Sequence, residues 1–232
     1  MDTIRIENVS NYFWLGRYGE RVYTTVLEFF NTYDYIIEHE DAYKTYCEEL
    51  EIPEIYGDND TFVKKYLFDS EDVNSVISNL NRAYDNAIIF RNVIKSDSLA
   101  YIDMAMIDMK SASKSSAPII GLQHVLDNIR AFWSCIDDKL ETDEERDLIF
   151  LGRYYERLDL YLRRNYDFND VYRAYRRLSH RIERCAVAYD AEQFVRLGFK
   201  ILAKDTPNMD MVMMLESIFD TDRKLQAIEY AV

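Results

Sequence analysis

Tight turns are scarce in this chain: its 232 residues include only six glycines and three prolines. A β-rich fold of that length needs many tight turns, and those turns draw on Gly, Pro and Asn. The shortage points to an all-α protein. With 48% hydrophobic residues there is enough apolar surface for one sizeable core or two small ones. The organisation expected is a single helical domain over residues 1–232, a bundle of about seven to nine helices.

Helical periodicity supports this along the whole chain. The first helix is expected from about Ile6 into the acidic stretch Glu38–Asp41, extending toward Leu50. Pro53 and Gly57 in "IPEIYGDND" end it, and Asp58 or Asp60 caps the next. After "DSED" (69–72), Val73, Val76, Ile77, Leu80, Tyr84, Ala87 and Ile94 fall on one helical face. Another helix begins near Ser98, with Leu99, Ile102, Met106 and Met109 inward. "SASKSSAP" (111–118) reads as a loop before a helix at 119–136. Thr142 and Glu145 have capping-box spacing and open a helix reaching about Asn165. After "DFND" (167–170) an arginine-rich helix continues toward Lys204, and Pro207 separates it from shorter terminal helices.

A short repeat is the most specific feature. "LGRYGER" at 15–21 returns as "LGRYYER" at 151–157, with six identities in seven positions. Charged and glycine positions match along with the apolar ones, so amphipathicity alone does not explain the likeness. The two copies, taken as 11–22 and 147–158, carry Arg17, Glu20, Arg21 and Arg153, Glu156, Arg157. On a helical wheel these charges are surrounded by apolar side chains, which places them on helices buried on most faces. A buried carboxylate needs partners, and a guanidinium offers five fixed donors. Glu20 is therefore expected to reach Arg153 or Arg157, and Glu156 to reach Arg17 or Arg21. A mid-helix glycine costs about 1 kcal/mol relative to alanine. Its occurrence at both Gly16 and Gly152 suggests that two pseudo-symmetric motif helices cross at their glycines at the centre of the bundle.

The net charge of −14 disfavours a general nucleic-acid role, because binding a polyanionic backbone relies on Lys and Arg. No stretch is apolar enough to suggest a membrane span. "MDTIRIENVS" lacks the basic and apolar regions of a secretion signal, and Cys47, Cys135 and Cys185 are odd in number and far apart. A reducing cytoplasm is the simplest setting. None of His39, His124 or His180 has the Glu-x-x-His spacing of di-metal bundles, so no metal and no cofactor is expected. Residues 153–184 hold nine arginines against five acidic residues. Two readings of Arg163, Arg164, Arg173, Arg176, Arg177, Arg181 and Arg184 stand side by side: pairing with acidic "DDKLETDEERD" (137–147), or a face for a phosphate or carboxylate.

With "NYFWLGRYGER" and "LIFLGRYYERLD" in view, the chain resembles the bacterial alpha-E family, an all-helical domain of unknown function with a Glu-Arg motif. The likeness covers roughly residues 7 to 165. It includes "SVISNLNRAYDNAIIFRNVIKSDSLAYIDM" (75–104), where Arg82, Asn86 and Arg91 match family positions. The chain differs in having Val22 and Leu158 after its Glu-Arg pairs, in Gly19, and in a shorter C-terminal end. The resemblance implies a non-catalytic protein partner of an ATP-grasp-type ligase, alongside a transglutaminase-like protein, in peptide or amide bond formation. The alternative is an enzyme or small-molecule sensor that uses the Arg/Glu network, with Glu20 or Glu156 as general base.

Overall fold

The structure is a computed structural model that describes residues 6–115 and 117–219. Among them are ten α-helices and no β-strand. They are α1 (Ile6–Glu38), α2 (Ala42–Glu49), α3 (Asn59–Phe68), α4 (Val76–Ile89) and α5 (Arg91–Ala112). The remainder are α6 (Pro118–Lys139), α7 (Asp143–Arg163), α8 (Phe168–Ile182), α9 (Ala191–Leu202) and α10 (Met209–Glu216). Anything expected at residues 1–5, at Ser116 or beyond Phe219 lies outside the described residues.

Two compact units make up the chain. One combines residues up to Arg17 with those from Thr142 onward; the other comprises Tyr18–Glu141. Helix α1 runs through both, so the first motif copy is divided between them after Arg17.

The unit of Tyr18–Glu141 is built on stacked aromatic rings. Phe62 of α3 lies 5.0–5.7 Å, centroid to centroid, from the rings of Tyr43, Tyr46, Tyr56 and Tyr66. Phe29 of α1 stacks on Phe62 at 6.0 Å and on Tyr66 at 5.8 Å. Such pairs each contribute about 0.5–1.5 kcal/mol beyond the burial of their area. Gly121 of α6 lets that helix close on α5, where a Cβ would stand 2.8 Å from the Cβ of Ala112. Gly19 has a similar reason: the indole of Trp133 occupies its side-chain space, 3.0 Å from where a Cβ would be.

In the other unit, Phe13, Tyr155 and Phe219 pack edge to face or tilted, with centroids 5.5–5.7 Å apart. In the same unit Leu158, Leu162, Leu178, Ile182 and Leu197 are buried.

Several helix ends differ from the sequence expectation, which also gave seven to nine helices where ten are present. Helix α1 stops at Glu38 and does not continue toward Leu50, because Asp41 turns into the left-handed region at φ 60° and α2 starts anew. Helix α8 stops at Ile182, well short of Lys204, and Asp190 caps a separate α9 by accepting from the Gln193 amide. The cap of α4 is Ser75, which leaves Val73 ahead of the helix and 61% exposed. Between Ile94 and Ser98, where the pattern changes helix, Lys95 adopts φ 66°, ψ 159° and kinks α5. Asp58 caps α3 through the Thr61 amide, as its position suggests. At α7 the capping-box pair takes another form: Thr142 Oγ1 donates to the Glu145 carboxylate, and no side chain caps the amides.

Candidate functional site at the helix crossing

Gly16 of α1 and Gly152 of α7 meet within one unit. A Cβ on Gly16 would overlap the carbonyl oxygen of Ile149 and sit 2.8 Å from the Arg153 nitrogen. One on Gly152 would overlap the carbonyl oxygen of Phe13 and sit 3.1 Å from the Arg17 nitrogen. Phe13 and Ile149 hold equivalent places in the two motif copies, as do Arg17 and Arg153. The contact is thus reciprocal: each helix lays the same stretch of backbone over the other's glycine. Only glycine lets two helix backbones come this close.

One turn further along, Arg17 Nε donates to Glu156 Oε2 at 2.6 Å. The Glu156 side chain is 4% exposed and that of Arg17 11%. The Arg17 guanidinium lies 4.7 Å from the ring centroids of both Trp14 and Tyr155, and 5.9 Å from Phe13. Arginine suits this enclosure because its cation is planar, stacks on rings and is weakly hydrated. Burial drives the Tyr155 phenol well above the usual range, against the opposing pull of Arg17. Its hydroxyl donates to the Leu215 carbonyl at 3.3 Å.

Arg153 and Arg157 both lie near the Tyr154 ring, at 5.7 and 5.8 Å. Glu20 and Arg21 belong to the unit of Tyr18–Glu141, where Glu20 is fully buried. Arg21 is one of the groups acting on Tyr66, whose phenol is pushed up to about 12 by burial against hydrogen bonds and the Arg21 charge. Arg82 and Asn86 lie on α4 of that same unit. Arg82 donates to the Val73 carbonyl at 2.8 Å, and Asn86 to the Arg82 carbonyl at 2.9 Å. Both therefore tie the backbone around α4. Arg91 is exposed at the start of α5.

A second ionic centre follows one of the two readings of the arginine-rich segment. Asp147 of α7, 2% exposed, accepts from Arg181 Nη1 and, at 2.6 Å, from Arg184 Nε. Arg184 also reaches Asp143 at 3.6 Å. The reading that pairs the arginines with segment 137–147 thus applies to Arg181 and Arg184. Arg163 turns instead to Asp159 at 3.0 Å and Glu216 at 2.6 Å, and Arg173 to Asp170 at 3.4 Å. Beside this centre, burial and the Asp147 charge push the Cys185 thiol up to about 12, against the pull of Arg181 and Arg184. Asp147 lies outside the repeated heptamer, and Asn11 holds its place in the first copy, so the repeat gave no sign of it. What singles it out within segment 137–147 is its place directly ahead of the apolar "LIFL".

Among the described residues no group of three or more His, Cys, Asp or Glu is placed to hold a metal ion. No helix there is long and apolar enough to cross a membrane.

The fold and the crossing define an all-helical domain in which a Gly-Arg…Glu-Arg segment joins two helices. The chain belongs to the Alpha-E family, described as "a predicted alpha-helical domain with a conserved ER motif", which it matches over residues 8–184. That span extends past the expected limit near residue 165 and takes in all of α8. No curated protein and no solved structure matches the chain.

Proposed function

We propose that this is an accessory protein of the bacterial cytoplasm that works with an ATP-grasp-type ligase, and alongside a transglutaminase-like protein, in peptide or amide bond formation. On this reading it supplies a folded helical surface and the ligase supplies the bond-making chemistry. The partner comes from the family resemblance. The observation that carries a non-catalytic role is the use to which Glu156 is put: its buried carboxylate is taken by Arg17 at 2.6 Å, beside a closed backbone crossing. A general base must come within hydrogen-bond reach of a substrate proton, and this geometry directs Glu156 to holding a helix contact.

The test is co-purification of the tagged chain with the ATP-grasp protein of the same cell, followed by ATP turnover and peptide ligation with and without the chain. A stoichiometric complex in which the ligase accounts for the turnover is expected. ATP turnover or peptide joining by the purified chain alone would overturn the reading. A Glu20→Gln variant adds a second check. Structural use of that buried carboxylate predicts lower stability, with partner binding kept in the folded fraction. A fully stable variant that had lost an activity would point to catalysis.

A further inference from the structure

Along α8 runs an open groove of about 620 Å³, walled on one side by Tyr154 of α7 and lined by Tyr172, Arg173, Arg176, Arg177 and His180. It lies wholly within one unit. The cationic side chains recur at helical spacing, so they share one face of α8. Their neighbours differ. Arg173 is held by Asp170, and Arg181, further along, by the buried Asp147. Arg176 and Arg177 are exposed, and no carboxylate among the described residues pairs with either. Each instead lies near an aromatic ring: Arg176 is 5.9 Å from the centroid of Tyr172, and Arg177 is 5.6 Å from that of Tyr154. Two neighbouring guanidinium forks of α8 therefore line one groove, each beside a ring and each with its N–H donors unclaimed by an acid.

We propose that this groove binds a compact small molecule bearing a pyrophosphate group, with Arg176 and Arg177 each gripping one phosphoryl group. Planar guanidinium forks match phosphate oxygens two at a time, which suits a pair of arginines to a pair of phosphoryl groups. The groove volume falls within the range of about 300–1,000 Å³ usual for small-ligand sites. The charge of the whole chain favours a compact ligand. At −14 overall, the chain outside α8 carries a net negative charge. Attraction to the arginines is screened over about 8 Å at physiological salt, so an extended polyanion would leave their reach and meet repulsion.

The experiment is calorimetric titration of inorganic pyrophosphate into the full chain at low salt, repeated with an Arg176→Gln/Arg177→Gln variant. An Arg196→Gln variant, altered at an exposed arginine of α9, serves as control. Saturable one-site binding is expected, weakened at least about tenfold in the double variant and unchanged in the control. Both altered side chains are exposed, so the unfolding midpoint should not move. An ADP arm separates sources of the same chemistry: tighter binding of ADP than pyrophosphate indicates a nucleotide, equal binding indicates the phosphates alone, and either upholds the site. Failure of the unmodified chain to bind pyrophosphate saturably would overturn the proposal. So would equal binding by the double variant, or a hexaglutamate peptide binding more tightly than pyrophosphate.

Discussion

At Arg17 a guanidinium sits within a helical unit with rings on several sides and a carboxylate at its end. Its environment explains why arginine is used there: a lysine could meet Glu156 but would not lay a planar cation against Trp14 and Tyr155. The repeat made Arg17 or Arg21 the expected partner of Glu156, and the pair formed is with Arg17. For Arg181 and Arg184 the acidic segment 137–147 was legible as a partner, but the choice of Asp147 within it was not, since no repeat marks it and the arginines lie 34 and 37 residues away. Truncating that acid tests the ionic centre. Asp147→Ala leaves Arg181 and Arg184 without their shared carboxylate and should cost about 3 kcal/mol in urea unfolding. A loss below about 0.5 kcal/mol would show that the two arginines find water or another acid at no penalty.

Among elements, the α1–α7 crossing has the clearest physical cause. Helix propensity alone favours alanine over glycine by about 1 kcal/mol. At Gly16 and Gly152 the added methyl would meet a carbonyl oxygen of the facing backbone, which cannot move aside as a side chain can. Overpacking outweighs propensity here, so Gly16→Ala or Gly152→Ala should each lower stability by a net of about 2 kcal/mol. Thermal unfolding followed by circular dichroism measures this, and a raised midpoint in either variant would contradict the close approach. Helix identities were read from periodicity more securely than helix ends. The end of α8 was missed because residues 183–190 contain no glycine or proline to mark it. Asp190 and Gln193, three apart, were the available cap signal. Asp41 likewise ends a helix by entering the left-handed region without being glycine.

Over the whole molecule, the all-α fold followed from the scarcity of turn residues. Composition left one core or two open, and no linker marks the division into two units because the same long helix α1 serves both. Buried acids of the thiol and phenol kind also shape how the protein responds to pH. Burial holds the Cys47 thiol up at about 11, and Tyr66 rises to about 12. Burial and the hydrogen bond to Asp72, at 2.6 Å, carry Tyr56 higher still. Ordinary thiols titrate near ~8.5 and phenols near ~10, so the unfolded chain releases these protons first. The unfolded state then binds fewer protons than the folded one, and stability falls as pH rises. The stabilisation from these groups is complete below about pH 8.5 and is lost progressively through 11 and 12. The melting midpoint should therefore drop steadily above pH 9. A flat profile to pH 11 would show that the three groups reach water in the folded protein.

Within the repeated motif, Arg17 and Glu156 join α1 to α7. A double-mutant cycle between Arg17→Met and Glu156→Gln, read by urea unfolding, measures that directly. A coupling energy of about 1.5 kcal/mol or more is predicted for a close charge pair shielded from water. Effects that add to within about 0.5 kcal/mol would mean the two side chains do not depend on each other and that the pair does not hold the helices together.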